Sequence, residues 1–355
     1  MQEYLIPFIL TAVISLILTS LLRRYLITKK YFDQPGGRHI HKNPIPRFGG
    51  AAVFVSWLAV IVFYLFTNPQ KLQFSGENIF GLDKNLLGMI LGAVILFVVG
   101  LMDDLKNLKP HVKLFWIFVA ALLVALFGIK IWWFSNPFGN LIVLGTWSYI
   151  FVIGWIILLV NVTNWLDGID GLATGVVLIA SLVLFLLSIS QNVNQPATAL
   201  LLAIFAGSLI GFLPYNFNPA KIFLGDSGSL FLGYILAIAA IISGGKVATA
   251  FLVFGLPILD AFWVIGRRLI NKKSPMKADR GHLHHRLLDA GMSQRQIVVL
   301  YYFISAFFGY LALKNSTSGK FEASFWLILL MIMLGLVLVV SKFIKEKKQI
   351  KNCKE

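Results

Sequence analysis

The sequence predicts an all-α polytopic membrane protein of about eleven transmembrane helices, with the N-terminus outside, the C-terminus cytoplasmic and its chemically distinctive residues at the cytoplasmic face. Of its 355 residues, 58% are hydrophobic and only 13% charged. A soluble domain carries about 25% charged residues, so lipid must be the solvent for most of this surface. Apolar runs of the required ~20 residues recur along the whole chain. Basic residues, finally, fall unevenly between alternate loops.

The apolar runs lie between charged or Pro/Gly-rich breaks. They are Tyr4–Leu22, Gly49–Phe66, Leu86–Met102, Val112–Phe127, Thr146–Trp165, Leu172–Ile189, Ala197–Leu213, Ser229–Ile242, Val247–Gly266, Ile297–Leu313 and Phe325–Val340. The eighth is short. Its neighbours are expected to tilt or to reach in at the membrane edge. Eleven spans put the termini on opposite sides. All but Lys71, Lys84, Lys130, Lys246, Lys314 and Lys320 of the 31 Lys and Arg residues then fall on one set of loops. The positive-inside rule makes that set cytoplasmic.

No polar stretch is long enough for a soluble domain, so residues 1–342 read as one transmembrane domain and 343–355 as a basic cytoplasmic tail. Met1-Gln2-Glu3 lacks the basic region of a cleavable signal, and Arg23-Arg24 follow the first run, which reads as a retained span. Cys353 is the sole cysteine, so no internal disulfide forms. The net charge of +16 points to topology and anionic headgroups rather than to nucleic acid.

The loop parity gathers Asp103, Asp104, Asp167, Asp170, Asp226, His282, His284 and His285 on the cytoplasmic side. Asp103-Asp104 end the third run, where adjacent carboxylates oppose the helix macrodipole. They form either a solvated turn or a group facing a protein-lined cavity. Asn161, Asn164 and Asp167 recur every three residues and share a helix face, followed by Gly168, Asp170 and Gly171. Such oxygens suit a hard cation such as Mg²⁺; the plainer reading is a polar cap. Gly225-Asp226-Ser227-Gly228 precedes the eighth run, as a simple N-cap or as a turn that aims amides at an anion or a carboxylate at a metal. The segment from Asp279-Arg280 through His282, His284 and His285 to Arg286 has no cysteine or fourth ligand, so an anion site fits better than zinc. The first loop, from Asp33 to Gly50, is shaped by Pro and Gly. Its cations, Lys42 and Arg47 among them, either hold phosphates or mark topology. Acids that repel one another require a cation, and the nearby cations require an anion. Mg²⁺ with a pyrophosphate answers both demands.

From Asp33 to about Arg286 these motifs resemble the polyprenyl-phosphate N-acetylhexosamine-1-phosphate transferases, in that family's order. The matching segments are Asp33…Pro35…Arg38…His41…Pro44…Pro46-Arg47…Gly49-Gly50, Asp103-Asp104, Asn164…Asp167-Gly-Ile-Asp170-Gly, Gly225-Asp226-Ser-Gly and His282-Leu-His-His. The resemblance implies that a UDP-sugar and a polyprenyl phosphate give polyprenyl-diphospho-sugar and UMP with Mg²⁺, or Mn²⁺ in its place. It implies Asp226 and Asn164 as metal ligands, Asp103, Asp104 and Asp167 as the reacting-centre acids, and Phe223 as the ring stacking on uracil. Gly168 and Asp170 match a nucleoside-contacting turn and Lys113 a pyrophosphate-binding lysine. Arg280, His282, His284 and His285 match a segment that closes over the sugar phosphate. Relatives also suggest a homodimer.

A lipid phosphate, with its second pKa near 6, is already mostly dianionic at neutral pH. The acidic pair is therefore expected to position groups more than to remove a proton. Leu283 among the histidines, Arg47 before Phe48-Gly49-Gly50 and Asp279-Arg280 favour the bacterial undecaprenyl-phosphate GlcNAc-1-phosphate branch over the phospho-MurNAc-pentapeptide branch. UDP-GlcNAc and undecaprenyl phosphate are the expected substrates. A membrane transporter is the rival of another class, disfavoured because the acids cluster at one edge and only Asp260 approaches a span centre.

Overall fold

The computed structural model describes residues 2–32, 44–136, 139–243, 246–272 and 281–352. Lys42, Arg280 and Asp279 lie outside the described residues. The chain is helical almost throughout: α1 (Gln2–Thr28), α2 (Gly49–Thr67), α3 (Lys84–Lys106), α4 (Pro110–Leu126), α5 (Trp147–Leu166), α6 (Leu172–Ser188), α7 (Pro196–Asn216), α8 (Gly225–Ile242), α9 (Val247–Val253), α10 (Gly255–Ile270), α11 (Leu283–Ala290), α12 (Gln294–Lys314) and α13 (Thr317–Asn352). Two small antiparallel hairpins complete it. The pair β1 (Asn78–Ile79) and β2 (Leu82–Asp83) precedes α3, and β3 (Trp133–Ser135) with β4 (Leu141–Val143) links α4 to α5.

Each predicted apolar run is helical, but the spans are not equal. Among the described residues eight helices are long and apolar enough to cross a bilayer, or nine if α9 and α10 form one span. Those two meet at an 80° bend. Pro257 stands in the first turn of α10, where its missing N–H costs nothing. At Gly255 a Cβ would come within 2.2 Å of the Leu327 side chain, so α13 packs into the corner. With 17 residues each, α4 and α6 fall short of the usual ~20. The basic segment continues α13 as helix to Asn352.

The centre of the bundle is α8. Its apolar window is 89% buried, against 17% for α13 and 22% for α1 at the periphery. Helices in lipid gain little from hydrophobic transfer between one another and associate through close packing. Phe231 of α8 meets Phe54 and Trp57 of α2 and Phe205 of α7 edge-on, with centroids 5.3, 5.3 and 5.9 Å away. Phe54 stacks on Phe97 of α3 at 4.1 Å. At one end α3 and α8 come into backbone contact. There a Cβ on Gly100 would lie 2.5 Å from the Asp226 carbonyl oxygen and the Ser227 Cα, backbone atoms that cannot rotate away.

Gly100→Val should therefore destabilise the protein by about 1–3 kcal/mol or more. Gly154→Val, at a lipid-facing position with nothing within 4 Å, should change stability by less than about 0.5 kcal/mol. Unfolding of both variants in detergent, followed against wild type, checks the difference.

Candidate active site

Burying the start of α8 against α3 leaves its first N–H groups in need of acceptors. The residue before the helix, Leu224, provides no side-chain cap. Asp104, from the last turn of α3, does so instead. Its Oδ1 accepts from the backbone N–H of Asp226 at 2.8 Å, and its Oδ2 from the Ser227 N–H at 3.0 Å and the Ser227 hydroxyl at 2.8 Å. Arg47 Nε lies 3.0 Å from Oδ1, and the Asp104 side chain is fully buried. The approach needs Gly225, whose φ is +76° and whose Cβ, were there one, would sit 2.6 Å from Asp104 Oδ2. The acid that opposes the dipole of α3 is stabilised by the positive end of α8.

Asp103 points elsewhere. It accepts from Leu108 N–H at 2.6 Å, which fixes the α3–α4 turn, and from Lys113 Nζ at 2.8 Å. Lys113 also reaches Asp226 Oδ2 at 3.1 Å, so it bridges the two carboxylates. The other Asp226 oxygen accepts from Asn164 Nδ2 at 2.9 Å, with Arg47 3.8 Å away. The same Asn164 amide group donates to Ser229 Oγ at 2.9 Å. Contrary to its expected place before the eighth helix, Gly-Asp-Ser-Gly forms the first turn of α8. Asn161, expected on the same face, spends its amide on the Ile157 carbonyl at 2.8 Å.

Arg47 is placed by backbone pairing rather than by its own loop. Phe223 N–H donates to the Pro46 carbonyl at 2.9 Å, while Gly49 and Gly50 N–H donate to the Phe223 and Leu224 carbonyls at 2.8 and 2.7 Å. A Cβ on Gly50 would collide with Gly228, which explains the glycine pair. This ladder also holds Phe223 beside Arg47, its side chain half-buried.

Beyond α5 the chain turns through Asp167-Gly168-Ile169-Asp170-Gly171. The Asp167 carboxyl makes no hydrogen bond or ion pair among the described residues. Desolvation raises it well above the usual carboxylate range, opposed by Arg47 and reinforced by Asp104 and Asp170. Asp170 faces away from Asp226 and instead accepts from Asn218 Nδ2 at 2.9 Å and Ala220 N–H at 3.0 Å, bracing the loop before α8. Gly168 abuts the histidine helix: a Cβ there would lie 2.8 Å from His284 Nε2 and 3.4 Å from His285 Nε2. His284 is 1% exposed, and neither ring nitrogen has a hydrogen-bond partner among the described residues. Burial, with His285 and His282 beside it, holds this imidazole well below the usual range, so it is neutral at physiological pH. Sequence patterning noticed Ser227 and Asp260 but gave neither a role in the site. An acid inside an apolar helix was the available signal for the latter.

Asp226 and Asn164 are the residues that would hold a divalent cation here. Among the described residues no three acids, histidines or cysteines gather as a complete metal site. The donor set still fits Mg²⁺, which commonly takes one or two protein oxygens and completes its shell with phosphates and water. Turning the Asn164 amide by 180° would present its oxygen beside Asp226.

Replacing Asp104 with Asn substitutes an N–H₂ where only acceptors are tolerated. Asp104→Asn should cost about 1–3 kcal/mol of stability. Asp103→Asn, which keeps an acceptor for the Leu108 N–H and leaves Lys113 its contact with Asp226, should cost less. Detergent unfolding curves of the two variants give the comparison.

The model of glycosyl transferase family 4 matches residues 86–244. Over 98% of its length the chain is 32% identical to the probable undecaprenyl-phosphate N-acetylglucosaminyl 1-phosphate transferase of Bacillus subtilis, covering 94% of that protein. It is 32% identical to the undecaprenyl-phosphate alpha-N-acetylglucosaminyl 1-phosphate transferase of Thermotoga maritima, over 77% of this chain and 78% of that one. To the phospho-N-acetylmuramoyl-pentapeptide-transferase of Staphylococcus carnosus it is 28% identical, over 87% and 97%. With motifs, site geometry and full-length similarity in agreement, the chain belongs to glycosyl transferase family 4.

Proposed function

We propose that this protein transfers GlcNAc-1-phosphate from UDP-GlcNAc to undecaprenyl phosphate, giving undecaprenyl-diphospho-GlcNAc and UMP at the cytoplasmic face of a bacterial cell membrane. The observation that carries the reading is the joining of Asp103, Asp104, Asp226 and Asn164 with Arg47 and Lys113 at the ends of α2, α3, α4, α5 and α8. A phosphate oxygen of the lipid attacks the sugar-bearing phosphorus of UDP-GlcNAc, and the bond to the oxygen of UMP breaks. The difficulty is repulsion between a dianion and a charged pyrophosphate, which fixed cations relieve. Arg47 and Lys113 are held for that purpose by the acids they touch. Asp104 is spent on the start of α8, and Asp103 on Lys113. That supports positioning rather than nucleophilic roles for the pair. Asp167, without a partner among the described residues, is the carboxyl left to meet substrate, and Phe223 the ring for uracil. The buried ring nitrogens of His284 await hydrogen-bonding partners that the sugar phosphate supplies. Mg²⁺, held by Asp226 and Asn164, would neutralise charge on the pyrophosphate.

The same end of the bundle carries Arg23, Lys106, Lys109, Lys113, Lys221 and Arg295, which supports a cytoplasmic site. GlcNAc is favoured by the names of the Bacillus subtilis and Thermotoga maritima relatives. Leu283, standing among the histidines, is 1% exposed and packs into the core.

Protein reconstituted with UDP-GlcNAc, undecaprenyl phosphate and Mg²⁺ should release UMP and stop when the metal is chelated. Asp226→Asn should reduce turnover at least ~100-fold. Undiminished turnover in that variant would refute the metal assignment.

A further inference from the structure

Asp260 lies in α10 and is 4% exposed. A carboxylate in so apolar a setting persists only with partners. Both of its oxygens have one. The backbone N–H of Leu283 donates to Oδ1 at 2.8 Å, and His282 Nδ1 lies 2.9 Å from Oδ2. Leu283 opens α11, which receives no side-chain cap from His282, the residue before it. Asp260 thus does for α11 what Asp104 does for α8. From His282 a file of rings runs toward the 167–171 turn. The His282 ring lies over Trp165 at 5.8 Å and parallel to His284 at 5.7 Å, with 7° between the planes. His285 follows, 4.3 Å from His284. His284 Nε2 in turn abuts Gly168, the neighbour of Asp167.

We propose that Asp260 is a positioning residue for the transfer reaction, acting through His282. An ionised carboxylate is acceptor-only, so His282 Nδ1 carries the proton and Nε2 is left as an acceptor, suited to a hydroxyl or amide N–H of the substrate sugar rather than to its phosphate. The second carboxylate oxygen fixes where α11 begins, and with it the rings of His284 and His285. The proposal rests on the reading of the histidine helix as the segment that holds the sugar phosphate, and it adds what orients that helix. In Asp260→Asn the amide oxygen still accepts from Leu283, but the N–H₂ meets Nδ1. That nitrogen becomes the acceptor and the ring proton moves to Nε2.

Solid-state NMR of ¹⁵N-histidine-labelled full-length protein in lipid, with His282→Gln to assign the signal, reads the tautomer directly. Wild type should show Nδ1–H at His282, and Asp260→Asn should show Nε2–H. Turnover of UDP-GlcNAc by Asp260→Asn should fall about tenfold or more while its thermal midpoint stays near wild type. In the His282→Gln background the same change should cost little further. Nε2–H in the wild type overturns the proposal, and that measurement needs no variant to fold. If His282→Gln is impaired but the two losses add in full, only the Asp260 link fails. If His282→Gln is fully active, the reading of the histidine helix fails and takes the proposal with it.

Discussion

Where the last turn of α3 meets the first turn of α8, one carboxylate answers two problems at once. The start of α8 is buried and lacks a cap of its own, and the end of α3 carries an acid that its own dipole disfavours. Asp104 joins them, with Asp226 N–H, Ser227 N–H and the Ser227 hydroxyl on one side and Arg47 on the other. Everything else at the site is referenced to that joint. Asp226 projects from the capped turn, Lys113 and Asn164 hold its two oxygens, and Arg47 is carried in on the backbone ladder between residues 46–50 and 223–224. The glycines at 50 and 100 let three backbones come close, and Gly225 admits the Asp104 carboxylate.

The arrangement suits its chemistry because Asp103 and Asp104 are each spent on holding something. A nucleophile that is already anionic needs little help from a base, and it does need fixed positive charge and helix-start amides nearby. A protein embedded in lipid cannot leave such charges unpaired. Asp103 and Asp104 keep Lys113 and Arg47 in place while neutralising them between turnovers. Asp260 repeats the device on the other wall of the site, where a buried carboxylate anchors the start of α11 and its histidines.

The sequence was most readable where one element decides the outcome. Apolar runs marked every long helix, and motif order placed Asp103, Asp104, Asn164, Asp226 and the histidines together at one end. It was least readable where two distant segments meet. Nothing local says that Asp104 caps α8 from another helix, or that Arg47 is set by Phe223 and Leu224. Helical spacing put Asn161 with Asn164 and Asp167, but an asparagine can equally satisfy itself on the preceding turn, and Asn161 does so. Asp170 sits in the motif yet braces the 218–220 loop, a role visible only once that loop is in place. The 80° bend between α9 and α10 escaped hydropathy because both halves are apolar.

Phosphoryl transfer to a lipid, with GlcNAc travelling on the phosphate, is the step that this arrangement of charges serves. The most direct measurement is mass spectrometry of the lipids after wild-type protein in liposomes has met equal UDP-GlcNAc and UDP-MurNAc-pentapeptide with undecaprenyl phosphate and Mg²⁺. The expected result is undecaprenyl-diphospho-GlcNAc with UMP released in equal amount and no phospho-sugar left on the protein. A product carrying only MurNAc-pentapeptide would contradict the substrate assignment. Movement of UDP-GlcNAc into the liposomes without any lipid product would contradict the reaction itself.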